Sequence, residues 1–132
     1  RIPRNFTVHG LWPDNNQYQL NDCKYKAYKK LKDVHEQSKL DDRWQDLTST
    51  KSITMKRQEF WEHEYNKHGT CCDSLYNQEQ YFNLTMDLKD KFDLLSILRN
   101  HGIVPGSSST IKQFGDAIET VTNKVFPNLK CI

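Results

Sequence analysis

The apolar and polar positions of residues 60–68 recur with the period of an α-helix. Five side chains fall at i, i+1, i+4, i+5 and i+8, a spacing that forms one continuous stripe facing a core or a cleft. An acid and an imidazole therefore share an aromatic-lined face and lie close enough to influence each other. A glycine at position 69 is typical of the residue just past a helix end. The stripe consists of Phe60, Trp61, Glu64, Tyr65 and His68.

Residues 5–12 alternate with the period of a β-strand. Phe6 and Trp12 fall on one face and His9 on the other, so His9 points away from the apolar side. Pro13 opens a turn that ends the strand. We predict that His9 faces the side that a cleft could occupy, although a strand histidine is more commonly a hydrogen-bonded structural residue.

Other periodic segments predict further helices and a second strand. The lysine-rich segment 25–34 indicates a short, solvated helix, and Trp44 and Leu47 are expected to hold the polar segment 38–50 on the core. A further helix is expected to start near Ser52 or Thr54 and to run into the central stretch. Another is expected from Asn77 onward, with a break near Lys91 and a restart capped by Asp93, and a third after Thr110. A strand is expected from Phe126 to Ile132.

Composition sets bounds without identifying a function. With 132 residues, of which 27% are charged and 11% aromatic, the chain is typical of one globular domain. No apolar run approaches the roughly 18 residues of a membrane span. The formal net charge of +2 permits an anionic partner and does not require one.

Cysteines and glycosylation sequons favour a secretory route. Four cysteines allow three full pairings, among which the sequence does not choose. Asn5-Phe6-Thr7 and Asn83-Leu84-Thr85 are sequons for N-glycosylation. Together these features favour an oxidising compartment. Because the sequence starts at Arg1 and stops shortly after a cysteine, we expect a fragment or a processed chain.

The helix at 60–68 concentrates groups suited to proton transfer. His63 and Lys67 lie beside the Glu64–His68 pair, and such a set can act next to a negatively charged substrate. A zinc site is not favoured, because His63 and His68 are five residues apart, about 140° around a helix, whereas the helical zinc motif places its histidines four apart. The plainer alternative is an amphipathic helix with a partly buried His–Glu pair. His9 supplies a second imidazole on another element.

Two motifs carry a family resemblance. Residues 9–13, HGLWP, and residues 61–71, WEHEYNKHGTC, occur in that order about fifty residues apart. Together they resemble the paired active-site signatures of the ribonuclease T2 family. Residues 92–95 and 101–106, with the adjacent Cys71 and Cys72, resemble the plant self-incompatibility members of that family.

The resemblance implies a fold and a domain. Members of the family have an α+β fold, an antiparallel sheet flanked by helices. Residues 1–132 are then expected to form a single ribonuclease domain without the N-terminal strand and the C-terminal strands of longer relatives. The resemblance also implies a reaction that needs neither a metal nor another cofactor.

The resemblance further implies a mechanism on single-stranded RNA. The 2′-hydroxyl attacks the phosphorus to give a 2′,3′-cyclic phosphate, which water then opens. Histidine can act as base or acid because its unperturbed pKa is near 6.5. The implied roles are base for His68, acid for His9, charge stabilisation for Glu64 and Lys67, phosphate binding for His63, base stacking for Trp12, and hydrogen bonding to the base edge for Asp14. The alternation also allows Trp12 to be a core residue.

For the disulfides the resemblance implies Cys23–Cys71. Cys131 matches a position whose usual partner lies further along the family's chains, so Cys72 is expected either to be free or to pair with Cys131. Segments 34–35 and 40–51 match the places where self-incompatibility ribonucleases carry their allele-distinguishing regions.

Three classes of function remain open at this point. The first is a secreted, monomeric endoribonuclease that is the stylar determinant of self-incompatibility. An alternative with the same chemistry is a ribonuclease similar to the self-incompatibility type that acts in phosphate scavenging or defence. The second is a recognition module that binds a pollen F-box protein through the surface of residues 34–51. The third, a plain RNA-binding domain, is disfavoured because the lysines are not interleaved with a stacking platform of aromatics.

Overall fold

The computed structural model describes residues 3–130, and Arg1, Ile2, Cys131 and Ile132 lie outside that range. The chain forms two compact units, one up to Lys89 and one from Asp90 onward. The described helices are α1 (Val34–Arg43), α2 (Lys51–Arg57), α3 (Glu59–Lys67), a 3₁₀ helix (Gly69–Cys72), α4 (Gln78–Lys91), α5 (Leu94–Asn100) and α6 (Ile111–Glu119). No helix among the described residues is long and apolar enough to cross a bilayer.

The predicted antiparallel sheet and its strands are wrong for residues 3–130. That range contains no strand, and its only β-type pairing is an isolated antiparallel bridge between Asp14 and Gln19. The prediction fails because alternation specifies an extended, two-faced segment, whereas a strand also needs a neighbouring strand for its hydrogen bonds. Segments 5–12 and 126–130 form no β-ladder among the described residues.

The lysine-rich segment before α1 is also not the predicted helix. The helix begins only at Val34, where the Asp33 carboxylate accepts hydrogen bonds from the backbone N–H groups of His35 and Glu36. The preceding residues are bound instead by side-chain amides. Gln78 exchanges two bonds with the backbone of Lys29, at 2.7 and 2.6 Å.

Side-chain amides thus take the place of a partner strand for this segment. Asn66 Oδ1 accepts from Tyr28 N–H at 2.9 Å. Gln58 Oε1 accepts from Leu31 N–H and Gln58 Nε2 donates to the Leu31 carbonyl, both at 2.9 Å. The lysines between these anchors stay exposed, which is why their pattern resembles a solvated helix face.

Gln58 divides the predicted continuous helix into α2 and α3. Its backbone lies in the left-handed region at φ 60°, which ends α2 and starts α3. The predicted cap is also displaced: the Thr50 hydroxyl, not that of Ser52 or Thr54, accepts from Ile53 N–H at 3.3 Å. The buried Gln58 amide bonds to segment 28–31 and to α2, and so joins three parts of the unit.

Replacing Gln58 tests this junction. Gln58→Gly relieves the left-handed backbone and removes the side chain with its amide, so we expect a loss of about 3 kcal/mol in the free energy of unfolding, mainly from buried groups left unpaired. Gln58→Ala adds backbone strain and should lose more. Urea unfolding measures both, with exposed Gln17→Ala as the control. A Gln58→Gly protein as stable as the parent would contradict the role assigned to the amide.

The core of the first unit is aromatic. Trp44, Trp61, Tyr81 and Phe82 are buried together with Leu40 and Tyr65. The polar edges of this core are satisfied: Trp61 Nε1 donates to the Trp44 carbonyl at 2.9 Å. Trp44 therefore anchors segment 38–50 as predicted, whereas Leu47 is exposed.

The second unit packs α5 and α6 around Leu98, Ile103 and Ala117. Thr110 caps α6 as predicted, in a reciprocal capping box with Gln113. Gly102 follows α5 with φ 76°, the left-handed conformation expected of a glycine past a helix end.

Candidate active site

The first motif lies against the core through hydrogen bonds from buried aromatic side chains. Trp44 Nε1 donates to the His9 carbonyl at 2.6 Å, and the Tyr81 hydroxyl donates to the Leu11 carbonyl at 2.8 Å. Val8 N–H donates to the carbonyl of Arg43, at the end of α1. Because both aromatic donors are fully buried, the backbone from Val8 to Leu11 is held in one position relative to α3.

Glu64 is the centre of the cluster. Its side chain is on the inner face of α3, and the residue is 2% exposed. One carboxylate oxygen, Oε2, accepts a hydrogen bond from Trp12 Nε1 at 2.9 Å. The other, Oε1, lies 3.6 Å from His9 Nε2. A buried carboxylate requires such partners, and here both come from the first motif.

His9 is the accessible histidine of the cluster. Its side chain is 73% exposed, as expected for a residue on the cleft side. Its ring meets Trp12 edge-on at 5.4 Å between centroids and Phe60 at 5.9 Å. The alternation placed His9 and Trp12 on opposite faces, but in the structure both converge on Glu64. An exposed imidazole beside a carboxylate can exchange protons with a substrate.

His68 is the buried histidine, at the C-terminal end of α3. The residue is 3% exposed, and its ring lies 5.3 Å from that of Trp12 at an interplanar angle of 35°. Burial lowers the pKa of His68 below its ordinary value, and the nearby Glu64 carboxylate opposes that shift. Nδ1 has no hydrogen-bond partner among the described residues. A neutral imidazole with a vacant nitrogen is suited to accept a proton.

The lowered pKa of His68 predicts a pH dependence of stability. In the window from the depressed pKa up to 6.5, the ordinary value, the unfolded chain binds more protons than the native protein, so stability rises with pH. Acidification through that window should destabilise the parent more than His68→Gln, which cannot titrate. Chemical unfolding at stepped pH checks the difference between the two. Identical pH dependence in both proteins would contradict a buried, neutral His68.

The other predicted substrate residues are distributed unevenly. His63 is exposed and Lys67 half-buried on α3, and the positive charges of both lower the pKa of His68. Lys67 also accepts a hydrogen bond from Asp22 N–H through its carbonyl. Asp14 instead bonds to Asn16 N–H within its own turn, and no described contact joins it to His9, Glu64 or His68.

The sequence did not reveal the residues that hold the backbone of the first motif in place. Trp44 was predicted only as core, and the Tyr81 hydroxyl gave no signal in the sequence. Gly10 is a third: a Cβ at this position would overlap Glu64 Oε2 and Trp12 Nε1. A glycine enclosed by His9 and Trp12 in a motif was the available clue, since glycine permits close approach.

A disulfide ties the first part of the chain to the end of α3. Cys23 and Cys71 are joined, with 5.0 Å between their Cα atoms, the pairing that the resemblance implies. Its sequence separation of 48 residues corresponds to roughly 4 kcal/mol in the chain-entropy model. Cys72 is a free, half-buried thiol, and burial raises its pKa. Its predicted alternative partner, Cys131, lies outside the described residues.

The two sequons differ in their surroundings. Asn5 is exposed at a bend, whereas Asn83 is half-buried on α4, and the hydroxyl of Thr85 is buried against the Tyr81 carbonyl. Among residues 3–130, no group of three or more His, Cys, Asp or Glu side chains converges as metal ligands.

Comparisons with known proteins agree with the two motifs. The model of the Ribonuclease T2 family matches residues 1–132. Ribonuclease S-7 of Nicotiana alata is 52% identical over 99% of this chain and 61% of its own length. Ribonuclease MC of Momordica charantia is 33% identical over 97% of this chain and 65% of its own length.

Solved structures agree on the fold. The self-incompatibility-associated SF11-RNase of Nicotiana alata superposes with a TM-score of 0.85 at 45% identity, over 92% of this chain and 62% of that one. Ribonuclease MC1 from bitter gourd seeds gives 0.77 at 32% identity, over 91% and 61%. The chain spans about three fifths of the length of these relatives, and its fold is of the ribonuclease T2 type. The chain belongs to the Ribonuclease T2 family.

Proposed function

We propose that this protein is an endoribonuclease that cleaves single-stranded RNA through a 2′,3′-cyclic phosphate, without a metal or other cofactor. The observation that carries the proposal is the convergence of exposed His9 and buried His68 on the Glu64–Trp12 pair, in a chain of the ribonuclease T2 family. One imidazole in contact with solvent and a second that is buried supply the two proton carriers that this cleavage requires.

The proposed roles follow from these surroundings. His68, kept neutral by burial, takes the proton of the attacking 2′-hydroxyl. His9, in contact with solvent and beside Glu64, gives a proton to the departing 5′-oxygen. In the second step the roles reverse: His9 takes a proton from water and His68 returns one to the 2′-oxygen. No net proton is consumed in the first step.

Charge stabilisation falls to the remaining groups of α3. Lys67 and His63 supply positive charge near His68, where the phosphorane gathers negative charge. The buried Glu64 carboxylate lies beside His9, with Oε1 3.6 Å from Nε2, and so orients the imidazole that must donate. The ring of Trp12 lies against that of His68, and its exposed part is available for stacking of a base.

The matched range of residues 1–132 supports the prediction of a single ribonuclease domain. The biological proposal is a secreted, monomeric stylar determinant of gametophytic self-incompatibility. It is supported by the names of the Nicotiana relatives, by the disulfide and by the exposed sequon at Asn5. A relative acting in phosphate scavenging or defence is the alternative within the same chemistry. Segregation of an allele with pollen rejection separates the two, and mass spectrometry of the secreted protein tests a glycan at Asn5.

A specific surface also favours the recognition hypothesis. A groove of about 920 Å³ opens between the lysine-rich segment, α1 and α2, lined by Lys30, Leu31, Lys32, Gln37, Lys51, Ser52, Met55, Lys56 and Gln58. Part of it belongs to the surface of residues 34–51 proposed for a pollen F-box partner. The cations fit an acidic partner. Charge reversal of Lys30 and Lys56 should weaken capture of that partner and leave RNA cleavage intact.

The enzymatic proposal is tested on the natural-length protein with single-stranded RNA and its duplex. We expect fragments ending in 2′,3′-cyclic phosphate from the single strand and far slower cleavage of the duplex. A folded protein that cleaves neither would overturn the proposal and favour the recognition module.

A further inference from the structure

We propose that Trp12 is a positioning residue: its indole N–H fixes the Glu64 carboxylate so that the second carboxylate oxygen faces His9. The inference rests on the proposed function, in which His9 and Glu64 serve RNA cleavage. It differs from the stacking role expected of Trp12, because stacking uses the face of the ring and positioning uses its edge.

The partners of Glu64 carry the first step. Within residues 3–130, the Glu64 side chain has two polar contacts, Trp12 Nε1 at 2.9 Å and His9 Nε2 at 3.6 Å. The residue is almost fully buried, so water does not replace a lost donor. The indole N–H is therefore the group that sets the rotation of the carboxylate, since the contact with His9 exceeds normal hydrogen-bond length.

Gly10 provides an independent observation. A Cβ at position 10 would overlap both atoms of the bond, Glu64 Oε2 and Trp12 Nε1. The backbone of the first motif thus passes directly beside this hydrogen bond, and only a glycine leaves room for it. The close approach is explained by the bond between Trp12 and Glu64, and base stacking by Trp12 alone does not require it.

The backbone that carries Trp12 is itself fixed. Trp44 Nε1 and the Tyr81 hydroxyl hold the carbonyls of His9 and Leu11 on either side of Gly10. These contacts connect the buried core to the backbone of the first motif, and Trp12 connects that motif to the Glu64 carboxylate. Held in this way, the indole N–H meets Glu64 without the entropic cost of ordering a flexible loop.

Three variants separate positioning from stacking in the natural-length protein. Trp12→Phe keeps an aromatic face and removes the donor; Trp12→Ala removes both; Gly10→Ala keeps the indole and displaces the bond. Binding is measured with a 2′-deoxydinucleoside monophosphate, which cannot be cleaved, and turnover with the matching ribose compound. Thermal unfolding confirms that each variant is folded.

We expect Trp12→Phe and Gly10→Ala to lower kcat by roughly 10- to 100-fold, the usual effect of one hydrogen bond to a charged group, with the analogue bound nearly as well as by the parent. Trp12→Ala should lower turnover and binding together. If Trp12→Phe keeps the parent kcat, the positioning role is overturned. Weaker binding with unchanged kcat in that variant would leave stacking as the role of Trp12.

A second readout does not depend on activity. The Trp12 indole N–H resonance, identified by its loss in Trp12→Phe, should exchange slowly with solvent although the residue is 48% exposed, and Glu64→Ala should remove that protection. Fast exchange in the parent would overturn the hydrogen bond and hence the inference. Failure of the proposed function looks different: a folded parent with a protected indole that does not cleave RNA. That result would show that the hydrogen bond between Trp12 and Glu64 exists but does not serve RNA cleavage.

Discussion

His9→Ala is expected to lower cleavage of RNA by roughly 10²- to 10⁴-fold, the usual contribution of a general acid, but to cleave a uridine 3′-(4-nitrophenyl) phosphate almost as fast as the parent. The reason is the leaving group. Nitrophenolate departs without a proton, so the acid is not needed, whereas a ribose 5′-oxygen requires one. His68→Ala removes the base and should be slow on both substrates.

This pair of histidines is a matched control, because each variant removes an imidazole from the same cluster around Glu64. Initial rates on the two substrates give the comparison. If the nitrophenyl ester rescues His68→Ala instead, the roles of acid and base are exchanged. If it rescues neither, His9 serves to bind the phosphate, and its exposure and its contact with Glu64 have another purpose.

Trp44→Ala is expected to give the largest loss of stability, about 3–5 kcal/mol in the free energy of unfolding. The residue is 0% exposed and packs against the rings of Tyr81 and Phe82, tilted and edge-on, at 6.1 and 5.6 Å between centroids. Its indole N–H also holds the His9 carbonyl. Trp44→Phe preserves most of the packing and should cost about 1 kcal/mol from the lost hydrogen bond, together with a fall in kcat.

Trp61→Phe is the matched control for Trp44→Phe. It too removes a buried indole N–H, whose acceptor is the Trp44 carbonyl and not the first motif. Comparable losses of stability with a fall in kcat for Trp44→Phe alone would establish that the core positions His9. Equal turnover in the two variants would contradict that role. Urea unfolding and steady-state kinetics supply both quantities.

The sequence predicted the parts of the molecule that depend on local pattern. The stripe of residues 60–68 placed Glu64 on the buried face of α3, and the observed helix ends at Lys67, two residues before the glycine at which a stop was predicted. The start of α6 after Thr110 was likewise readable, because an N-cap depends on the chemistry of a few neighbouring residues.

Tertiary partners explain what the pattern could not predict. Gln58 adopts φ 60° because its amide is bonded by segment 28–31, and no helix propensity reveals such a partner. The lysine-rich segment is extended for the same reason, through Gln78 and Asn66. The strand pattern of residues 5–12 predicted a sheet, whereas its described hydrogen bonds go to Trp44, Tyr81 and the end of α1.

The candidate site was predicted as a set of residues and not as an arrangement. The motifs named His9, Glu64 and His68, and the structure brings all three to Trp12. One histidine is exposed and the other is buried, and this difference depends on how Trp12 packs. Neither the alternation of residues 5–12 nor the helical stripe of residues 60–68 specifies that packing. Asp14 illustrates the reverse: its place in the motif suggested the site, while its carboxylate is used within its own turn.

Product analysis after digestion of single-stranded RNA by the natural-length protein in excess EDTA separates the two-histidine mechanism from its alternatives. We expect fragments ending in 2′,3′-cyclic phosphate, formed before any 3′-phosphate, and their loss in the His68→Ala protein. Cleavage that ends in 5′-phosphate, or that stops when EDTA is added, would contradict the two-histidine mechanism.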